Sequence, residues 1–333
     1  MIRPFPELEN IHAIPIELPG FEDLKTANIY AVGRGPFTLI DTGPKYPGLL
    51  EQLNYELRQA GYRLGDVERI ILTHGHIDHF GMTYSIREAA GRDVACYIHP
   101  EDAWKISSAN TSQDLWDHEA YEVMALAGMP LAEIEGIRER FSFFKDLCDP
   151  INNPCLMEDG DEFFGNAYHL TVIHTPGHTP GSVSLYESRS RVLFSGDHVI
   201  KHITPNPLIE MRRTDLRDPD YQSLRAFKKS LDKLQSFDIQ YVFPGHGEYI
   251  EDVADVIRTY SVHHRQRMEL VWQALNNKSR PLFHLIGDVF ENVPEGDAFL
   301  AVSEIYVHLE MLINEGRAEL ADPGPPALYR ALP

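Results

Sequence analysis

Residues 70–81 read IILTHGHIDHFG, an apolar run followed by three histidines and an aspartate within six positions. Side chains alternate along a strand, so a strand that ends just before this group places His74 and His76 on the same side. Asp78 and His79 follow where a turn or the start of a helix aims them at a neighbouring point. Imidazole and carboxylate groups at this spacing suit two adjacent metal cations. The alternative is a solvated, histidine-rich turn that only connects two elements.

Three later segments carry the same kinds of side chain. His178 lies in TPGHTPGS, Asp197 in FSGDH and His246 in FPGHG. Each follows a strand-like run and stands beside glycine, which suits side chains that converge on one edge of a sheet. A single Pro-Gly-His sequence is more often a turn than a ligand. Together, however, the three segments supply the ligands that two metal sites still need.

The composition is that of an ordinary globular protein of 333 residues, with 43% hydrophobic and 24% charged residues. This length fits one large domain and a small one, or two domains of moderate size. The three cysteines form no C-x-x-C pair, which argues against a disulfide framework or a thiolate zinc site.

The formal charge of −20 argues against a general polyanion binder. No apolar run approaches the roughly 20 residues that span a bilayer. The N-terminus lacks a signal-peptide pattern, so we expect a cytoplasmic protein with no membrane partner.

The order of strand-like and helical segments predicts an α/β fold. Short strands are grouped in each half of the chain with helices between them, which indicates two sheets sandwiched by helices. Residues 101–160 interrupt this rhythm with a mostly helical, aromatic-rich stretch that we interpret as an insertion over one end of the sheet. Residues 256–333 have the pattern of three helices and a β-hairpin, which is typical of a winged helix. We therefore expect a large domain over residues 1–255 and a small domain over residues 256–333.

The sequence resembles the metallo-β-lactamase-fold hydrolases over roughly residues 10–255. His74, His76, Asp78 and His79 match the H-x-H-x-D-H motif of that family in full, and the later histidine, aspartate and histidine follow in the expected order. The resemblance implies an αββα sandwich with the metals at one sheet edge. The C-terminal segment resembles the winged-helix tail that some of these hydrolases carry.

The resemblance also implies roles for individual side chains. The implied ligands are His74, His76 and His178 for one ion, Asp78, His79 and His246 for the other, and Asp197 between the two. Asp41, in the sequence LIDTG, would orient one of these ligands from behind. Two divalent ions suit this set of nitrogen and oxygen donors, with zinc expected and iron or manganese as alternatives.

This ligand set is like that of glyoxalase II, lactonases and related thioester hydrolases. We therefore expect hydrolysis of an ester, thioester or lactone carbonyl in a small-molecule substrate, by a hydroxide that bridges the two ions. Asp78 would also act in catalysis by accepting or relaying a proton as the leaving group departs. β-Lactamases of this fold generally lack the bridging aspartate, which makes antibiotic hydrolysis a weaker candidate.

The main rival is a metal-dependent endoribonuclease acting on single-stranded RNA, because winged helices can bind nucleic acid and two metals can cleave a phosphodiester. Residues 256–333 contain seven Lys or Arg against ten Asp or Glu, so a basic recognition face is not expected. Nucleic acid is therefore an unfavoured partner. The tail is interpreted as a packing, dimerisation or cleft-closing element, which leaves a homodimer open. Redox members of the fold and a non-catalytic scaffold are weaker alternatives.

Several other side chains have two interpretations. His198 and His202 follow the aspartate of FSGDH and either contact the substrate or are structural. His174, four residues before His178, fits a structural role. The aromatic side chains of residues 104–144 either belong to the core or line a cleft for an acyl chain or another apolar group.

Overall fold

The structure, a computed structural model, describes residues 5–18, 23–108, 113–205, 207–209, 221–276, 278–294 and 296–333. Two β-sheets form its centre. The first has the order β1-β2-β3-β4-β5-β6, with β1 (Ile11–Glu17), β2 (Thr26–Val32), β3 (Phe37–Ile40), β4 (Val67–Ile71), β5 (Ala95–Ile98) and β6 (Cys155–Leu156). The second has the order β11-β10-β9-β8-β7, with β7 (Glu162–Gly165), β8 (Tyr168–His174), β9 (Val183–Glu187), β10 (Val192–Gly196) and β11 (Tyr241–Pro244).

Helices cover the sheets and make up most of the C-terminal quarter. They are α1 (Leu49–Gln59), α2 (Ile77–Phe80), α3 (Thr83–Ala90), α4 (Pro100–Ala103), α5 (Gln113–Leu126), α6 (Leu131–Lys145), α7 (Ser223–Leu234), α8 (Val253–Leu275), α9 (Ile286–Val289) and α10 (Ala298–Asn314). A hairpin of β12 (Ala318–Asp322) and β13 (Leu328–Ala331) follows. Among the described residues, no helix is both long and apolar enough to cross a bilayer.

Alternating side chains sort the residues of each strand into separate cores. In β4, Ile70 packs into a core shared with α1 and α3, and the next residue, Ile71, packs into the core between the two sheets. In β10, Phe194 faces the same inter-sheet core, whereas Leu193 packs against α7. The layers therefore run helix, sheet, sheet, helix, which is consistent with the predicted αββα sandwich.

Strand direction brings the sequence motifs to one edge of this sandwich. β3, β4 and β5 run parallel, and β8 and β10 point the same way because β9 lies antiparallel between them. β11 is parallel to β10. Residues that follow these strands therefore meet at the carboxyl edges of the sheets. Backbone hydrogen bonds join the two edges, from Val183 N to Thr73 O (2.8 Å) and from Asn28 N to Gly245 O (2.8 Å).

The predicted insertion and the C-terminal segment share one hydrophobic core. Met124 of α5 and Val302 of α10 are both buried members of it. A backbone hydrogen bond of 2.9 Å, from Phe283 N to Ala127 O, joins the same two parts of the chain. α8 runs through the boundary predicted at residue 255, and the domain limits stay a prediction. The C-terminal segment has the expected order of helix, short helix, helix and hairpin, but its classification as a winged helix also stays a prediction.

Two strands near the end of the insertion were not identified from the sequence. β6 adds only two residues to the edge of the first sheet, where Tyr97 pairs with Cys155 and Ile98 with Leu156. β7 pairs antiparallel with β8 at the edge of the second sheet. A two-residue strand is too short to show an alternating pattern, because at least four residues are needed to distinguish a strand from a loop.

Candidate metal centre

The chain changes from strand to helix within the opening motif. β4 ends at Ile71, and His76 has an extended backbone immediately before α2. Asp78 and His79 therefore lie in the first helical turn. The turn gathers the imidazoles, because the ring centroid of His74 lies 4.6 Å from that of His76 and 4.1 Å from that of His79.

His74, His76 and His178 form the first triad, with one potential ligand atom from each lying within 4.8 Å of the others. His178 comes from the loop between β8 and β9, on the second sheet. Its Nε2 lies 3.0 Å from Nδ1 of His76. The two sheets thus contribute to one ligand group.

Asp78, His79 and His246 form the second triad under the same 4.8 Å limit. Nε2 of His246 lies 3.3 Å from Nε2 of His79 and 3.3 Å from Oδ2 of Asp78. Asp197 lies between the triads, because its Oδ1 is 3.3 Å from His79 Nε2 and its Oδ2 is 3.6 Å from His178 Nε2.

The hydrogen bonds behind the second triad leave the Nε2 atoms of His79 and His246 facing each other. His246 Nδ1 donates to the carbonyl oxygen of Thr26 (2.6 Å), and His79 Nδ1 donates to Oδ2 of Asp41 (2.9 Å). In a neutral imidazole the other nitrogen is then unprotonated. With both rings neutral, two lone pairs would face each other 3.3 Å apart and repel. A cation between them converts this repulsion into coordination, so the arrangement fits a metal ion.

The first triad contains a similar signal. Thr73 Oγ1 donates to Asp41 Oδ2 (2.8 Å) and can accept from Nδ1 of His74, which lies 3.1 Å away. Nε2 of His74 is buried and has no hydrogen-bond partner among the described residues. A buried nitrogen in this state is costly unless something else binds it. One ring nitrogen of His74 lies within 4.8 Å of the other donor atoms of the triad, so a metal ion there could bind it.

The separations of the donor atoms also match a metal site. Ligand atoms around a tetrahedral ion with bonds of about 2.0–2.1 Å lie about 3.3 Å apart. The closest donor pairs of the two triads are separated by 3.0–3.3 Å. The residues present therefore fit divalent cations at this sheet edge.

Burial and mutual repulsion govern the charge of the first triad. Burial lowers the pKa of His74 well below its usual value, and the neighbouring His79 and His76 lower it further. The pKa of His76 is also lowered well below the usual value, first by burial and then by His178 and Lys105. Neutral imidazoles are the form that binds metals.

Carboxylates dominate the second triad. Burial alone would lower the pKa of His246, but Asp197 and Asp78 outweigh it and raise the pKa to about 10. The pKa of His79 is raised well above its usual value because Asp197 and Asp41 likewise outweigh burial. The buried carboxylates therefore favour positive charge at this triad. A divalent cation bound there would supply that charge.

The two histidines considered as possible substrate contacts, His198 and His202, lie outside both triads. His198 is 1% exposed and its ring packs 4.5 Å from that of Phe227, centroid to centroid. Burial lowers the pKa of His198 to about 3, and this environment favours the structural interpretation. His202 is half-buried, donates from Nε2 to Asp23 O (2.9 Å) and packs against Gly247, beside His246. Contact of either histidine with substrate stays a prediction.

The structural interpretation of His174 has a specific basis. Its Nε2 donates to Pro180 O (2.8 Å), which closes the loop that presents His178. Its ring stacks on that of His99, with centroids 4.0 Å apart. Among the aromatic residues of the insertion, Phe143 is 56% exposed, and Trp104 and Phe144 are partly buried. The choice between a core and a cleft for these rings stays a prediction. The side chains of Trp116 and Phe141 lie outside the described part of the chain.

Three residues that support the ligands were missed from the sequence. Thr26 and Thr73 hold His246 and His74 as described above, and Asp102 accepts hydrogen bonds from the loops of both halves of the first triad. The threonines carry no local signal, because their partners are set by folding. Asp102 carries a weak local signal, because it lies in the acidic sequence HPED directly after a strand-like run.

Known proteins resemble this chain over most of its length. The profile of the Metallo-beta-lactamase superfamily matches residues 23–246. The "Probable metallo-hydrolase YqjP" of Bacillus subtilis (strain 168) is 27% identical over 292 residues, covering 86% of this chain and 88% of that protein. The "Beta-lactamase-like protein 2 homolog" of Drosophila melanogaster is 25% identical over 311 residues, covering 91% of this chain and 87% of that protein.

Solved structures share the fold along nearly the whole chain. A metallo-beta-lactamase family protein from Thermus thermophilus has a TM-score of 0.82 at 24% identity, covering 98% of this chain and 99% of that one. A beta-lactamase domain protein from Burkholderia ambifaria has a TM-score of 0.80 at 20% identity, covering 98% and 93%. With the profile spanning most of the sandwich and the sheet edge rich in metal-binding side chains, the chain belongs to the metallo-beta-lactamase superfamily of metal-dependent hydrolases.

Proposed function

We propose that the protein is a binuclear hydrolase that cleaves an ester, thioester or lactone bond in a small-molecule substrate. The supporting observation is the convergence of two triads of donor atoms with Asp197 between them. The proposed ligands are His74, His76 and His178 for one ion, Asp78, His79 and His246 for the other, and Asp197 shared by both. Zinc is the expected metal, and iron or manganese would suit the same donors.

Two divalent cations in this site would supply an activated water and polarise the carbonyl oxygen of the substrate. Asp78 is the more accessible of the two carboxylates, since its side chain is 22% exposed against 8% for Asp197. Burial raises the pKa of Asp78, but His79 and His246 outweigh it and hold the pKa well below its usual value. Asp78 is therefore ionised, which is the form that binds a metal ion. Its proposed second role, to relay a proton to the leaving group, rests on its accessible position.

Side chains next to the triads support a small organic substrate. Lys105 lies close enough to His76 to lower its pKa, and its Nζ stands 5.2 Å from the centroid of the Trp104 ring. Burial raises the pKa of the Tyr46 phenol, and the charge of Asp78 raises it further. Aromatic surface beside a cation suits an acyl compound with a polar carbonyl end.

The state of the C-terminal basic residues argues against the ribonuclease alternative. Of the seven Lys and Arg in residues 256–333, five arginines form ion pairs with acidic side chains: Arg258, Arg267, Arg280, Arg317 and Arg330. The neighbouring carboxylates offset the positive charge of these arginines, so this segment presents little net positive charge to a phosphate. Counterion release would therefore contribute little to RNA affinity.

The test is a parallel assay of the metal-loaded protein on an acyl thioester, a lactone and single-stranded RNA, with His246→Ala as the negative control. We expect turnover of at least one carbonyl substrate and its loss in His246→Ala. RNA cleavage that is lost in His246→Ala, with no turnover of the thioester or the lactone, would overturn the proposal in favour of the nuclease. A cytoplasmic location and a homodimer stay predictions beside this one.

A further inference from the structure

Asp102 connects the two loops that form the first triad. It lies in α4 at the start of the predicted insertion and is 0% exposed. Its Oδ2 accepts hydrogen bonds from Gly75 N (2.8 Å) and Thr179 Oγ1 (2.6 Å), and its Oδ1 accepts from Gly181 N (3.0 Å). The carboxylate thus contacts one loop between His74 and His76 and the other directly after His178.

We infer that Asp102 is a positioning residue that fixes the distance between these two loops and so preorganises the first metal site. The inference rests on the proposed binuclear function. A buried carboxylate is tolerated only when its oxygens are well satisfied, and three hydrogen bonds to a charged acceptor are strong ones. They hold the loops so that His76 Nδ1 and His178 Nε2 stand 3.0 Å apart.

Metal sites need such support because ligands must be held within about 0.5 Å of the productive geometry. Gly75 N and Gly181 N would lose their buried acceptor if Asp102 were removed, and the two loops would relax to find other partners. Their separation would then change by more than a metal–nitrogen bond tolerates. Loss of an outer partner of this kind typically lowers metal affinity by about 10–100-fold.

The second triad is supported by other residues. His79 is held by Asp41, and His246 is held by the backbone of Thr26. Neither of these hydrogen bonds involves the insertion. The loss of Asp102 should therefore weaken one metal site and spare the other, whereas a general loss of stability would weaken both.

Titration with Co²⁺ separates these cases, because the visible absorption of bound Co²⁺ depends on its ligands. The variants are Asp102→Ala and Asp102→Asn, with Asp322→Ala as the matched control, an exposed aspartate that also accepts a backbone hydrogen bond (from Gly324 N, 3.0 Å). His178→Ala and His246→Ala provide reference spectra for loss of the first and the second site. Bound metal is counted by elemental analysis, and folding is checked by circular dichroism.

We expect Asp102→Ala to bind one Co²⁺ with unchanged affinity and a second about 10–100-fold more weakly. The spectrum of the tightly bound ion should match that of His178→Ala. Asp102→Asn keeps one acceptor oxygen and should fall between Asp102→Ala and the unmodified protein, and it decides the question if Asp102→Ala does not fold. Asp322→Ala should behave as the unmodified protein.

Three results would overturn the inference. They are equal weakening of both sites, a residual spectrum that matches His246→Ala, and two sites of unchanged affinity. In each of these the unmodified protein still binds two Co²⁺, so the proposed function stands. Failure of the unmodified protein to bind Co²⁺ would instead remove the binuclear function together with this inference.

Discussion

At the scale of single residues, Asp197 is the side chain that would link the two proposed metal ions. The carboxylate follows β10 and contacts a histidine from each triad, His79 at 3.3 Å and His178 at 3.6 Å. A neutral amide in its place has one acceptor oxygen and no charge, so it cannot link two cations in the same way.

Asp197→Asn should therefore lower hydrolysis and metal content together. We expect an effect larger than the roughly 10–100-fold that is typical of residues behind the ligands, with the fold retained. Elemental analysis and circular dichroism of the purified variant check both statements. Asp238→Asn, which changes an aspartate in a surface ion pair with Arg191, is the control and should keep full metal content. Full metal content in Asp197→Asn would remove the bridging role.

The grouping of donor side chains was predictable where these residues lie close together in the sequence, whereas their role as metal ligands stays a proposal. The close grouping of four side chains was evident because they fall within six positions after a strand-like run, with a glycine between the first two: His74, His76, Asp78 and His79. The supporting contacts were not predictable, because Asp102 meets Gly181 across 79 positions and Thr26 meets His246 across 220. Only the folded sheets bring such pairs together.

At the scale of elements, the loop after β8 is held against α7 by a close backbone approach. Gly177 has a φ of +143°, and a Cβ at this position would lie 2.4 Å from the Cα of Phe227. The next residue is His178, so the docking of this loop on the helix sets the place of a proposed ligand. A side chain here would have to move backbone, which is more costly than moving a flexible side chain.

Gly177→Ala should lower the free energy of unfolding by about 1–3 kcal/mol and weaken metal binding. Urea denaturation and elemental analysis measure the two effects. Gly91→Ala is the matched control, because Gly91 also has a positive φ (+67°) but a Cβ there would meet no heavy atom within 4 Å. A loss in Gly177→Ala no larger than that in Gly91→Ala would show that the contact with α7 is unimportant.

A buried histidine pair joins α8 to α10. His264 Nδ1 donates to Nε2 of His308 (3.0 Å), whose Nδ1 donates to Glu304 O (2.6 Å). Burial lowers the pKa of His264 to about 3 and that of His308 to about 4. The charged or titratable groups that face the pair are Glu304, His263, Arg267 and Lys228. Both histidines are therefore neutral at neutral pH.

This pair makes stability depend on pH in a defined direction. Below the usual histidine pKa of about 6.5 the unfolded chain takes up protons that the folded pair refuses. The contribution of the neutral pair to the free energy of unfolding is complete above about pH 6.5. It is lost as the pH falls towards 4, by up to about 1.4 kcal/mol per pH unit for each histidine. Denaturation of the metal-loaded protein at several pH values measures the slope.

The double variant His264→Gln/His308→Gln should show a flatter dependence of stability on pH in this range. His284→Gln changes an exposed histidine and should keep the slope of the unmodified protein. An unchanged slope in the double variant would contradict the assignment of this effect to the pair.

At the scale of the whole molecule, the insertion connects the sheet edge to the C-terminal segment. Its first residues include Asp102, next to the first triad, and its helices share a core with α8 and α10. The αββα order was predictable from the grouping of strands and helices along the sequence. The shared core was not, because apolar side chains at helical spacing show that a helix is buried but not which partner buries it.

Met124→Ala should therefore destabilise α10, although the two are far apart in sequence. Met124 is 1% exposed within the shared core, and truncation of a buried methionine costs about 2–5 kcal/mol. Hydrogen exchange of the α10 amides measures the effect. Leu131→Ala is the control, since Leu131 is 57% exposed and its truncation should leave the protection of α10 unchanged. Normal protection of α10 in Met124→Ala would contradict the shared core.

The central claim is that seven side chains at one sheet edge hold a pair of divalent cations. The most direct measurement is anomalous X-ray scattering from crystals of the purified protein, recorded at the absorption edge of the metal that elemental analysis finds. We predict two anomalous peaks about 3.5–4 Å apart, one inside each triad, with Asp197 between them. A single peak, or peaks away from His74, His178 and His246, would contradict it.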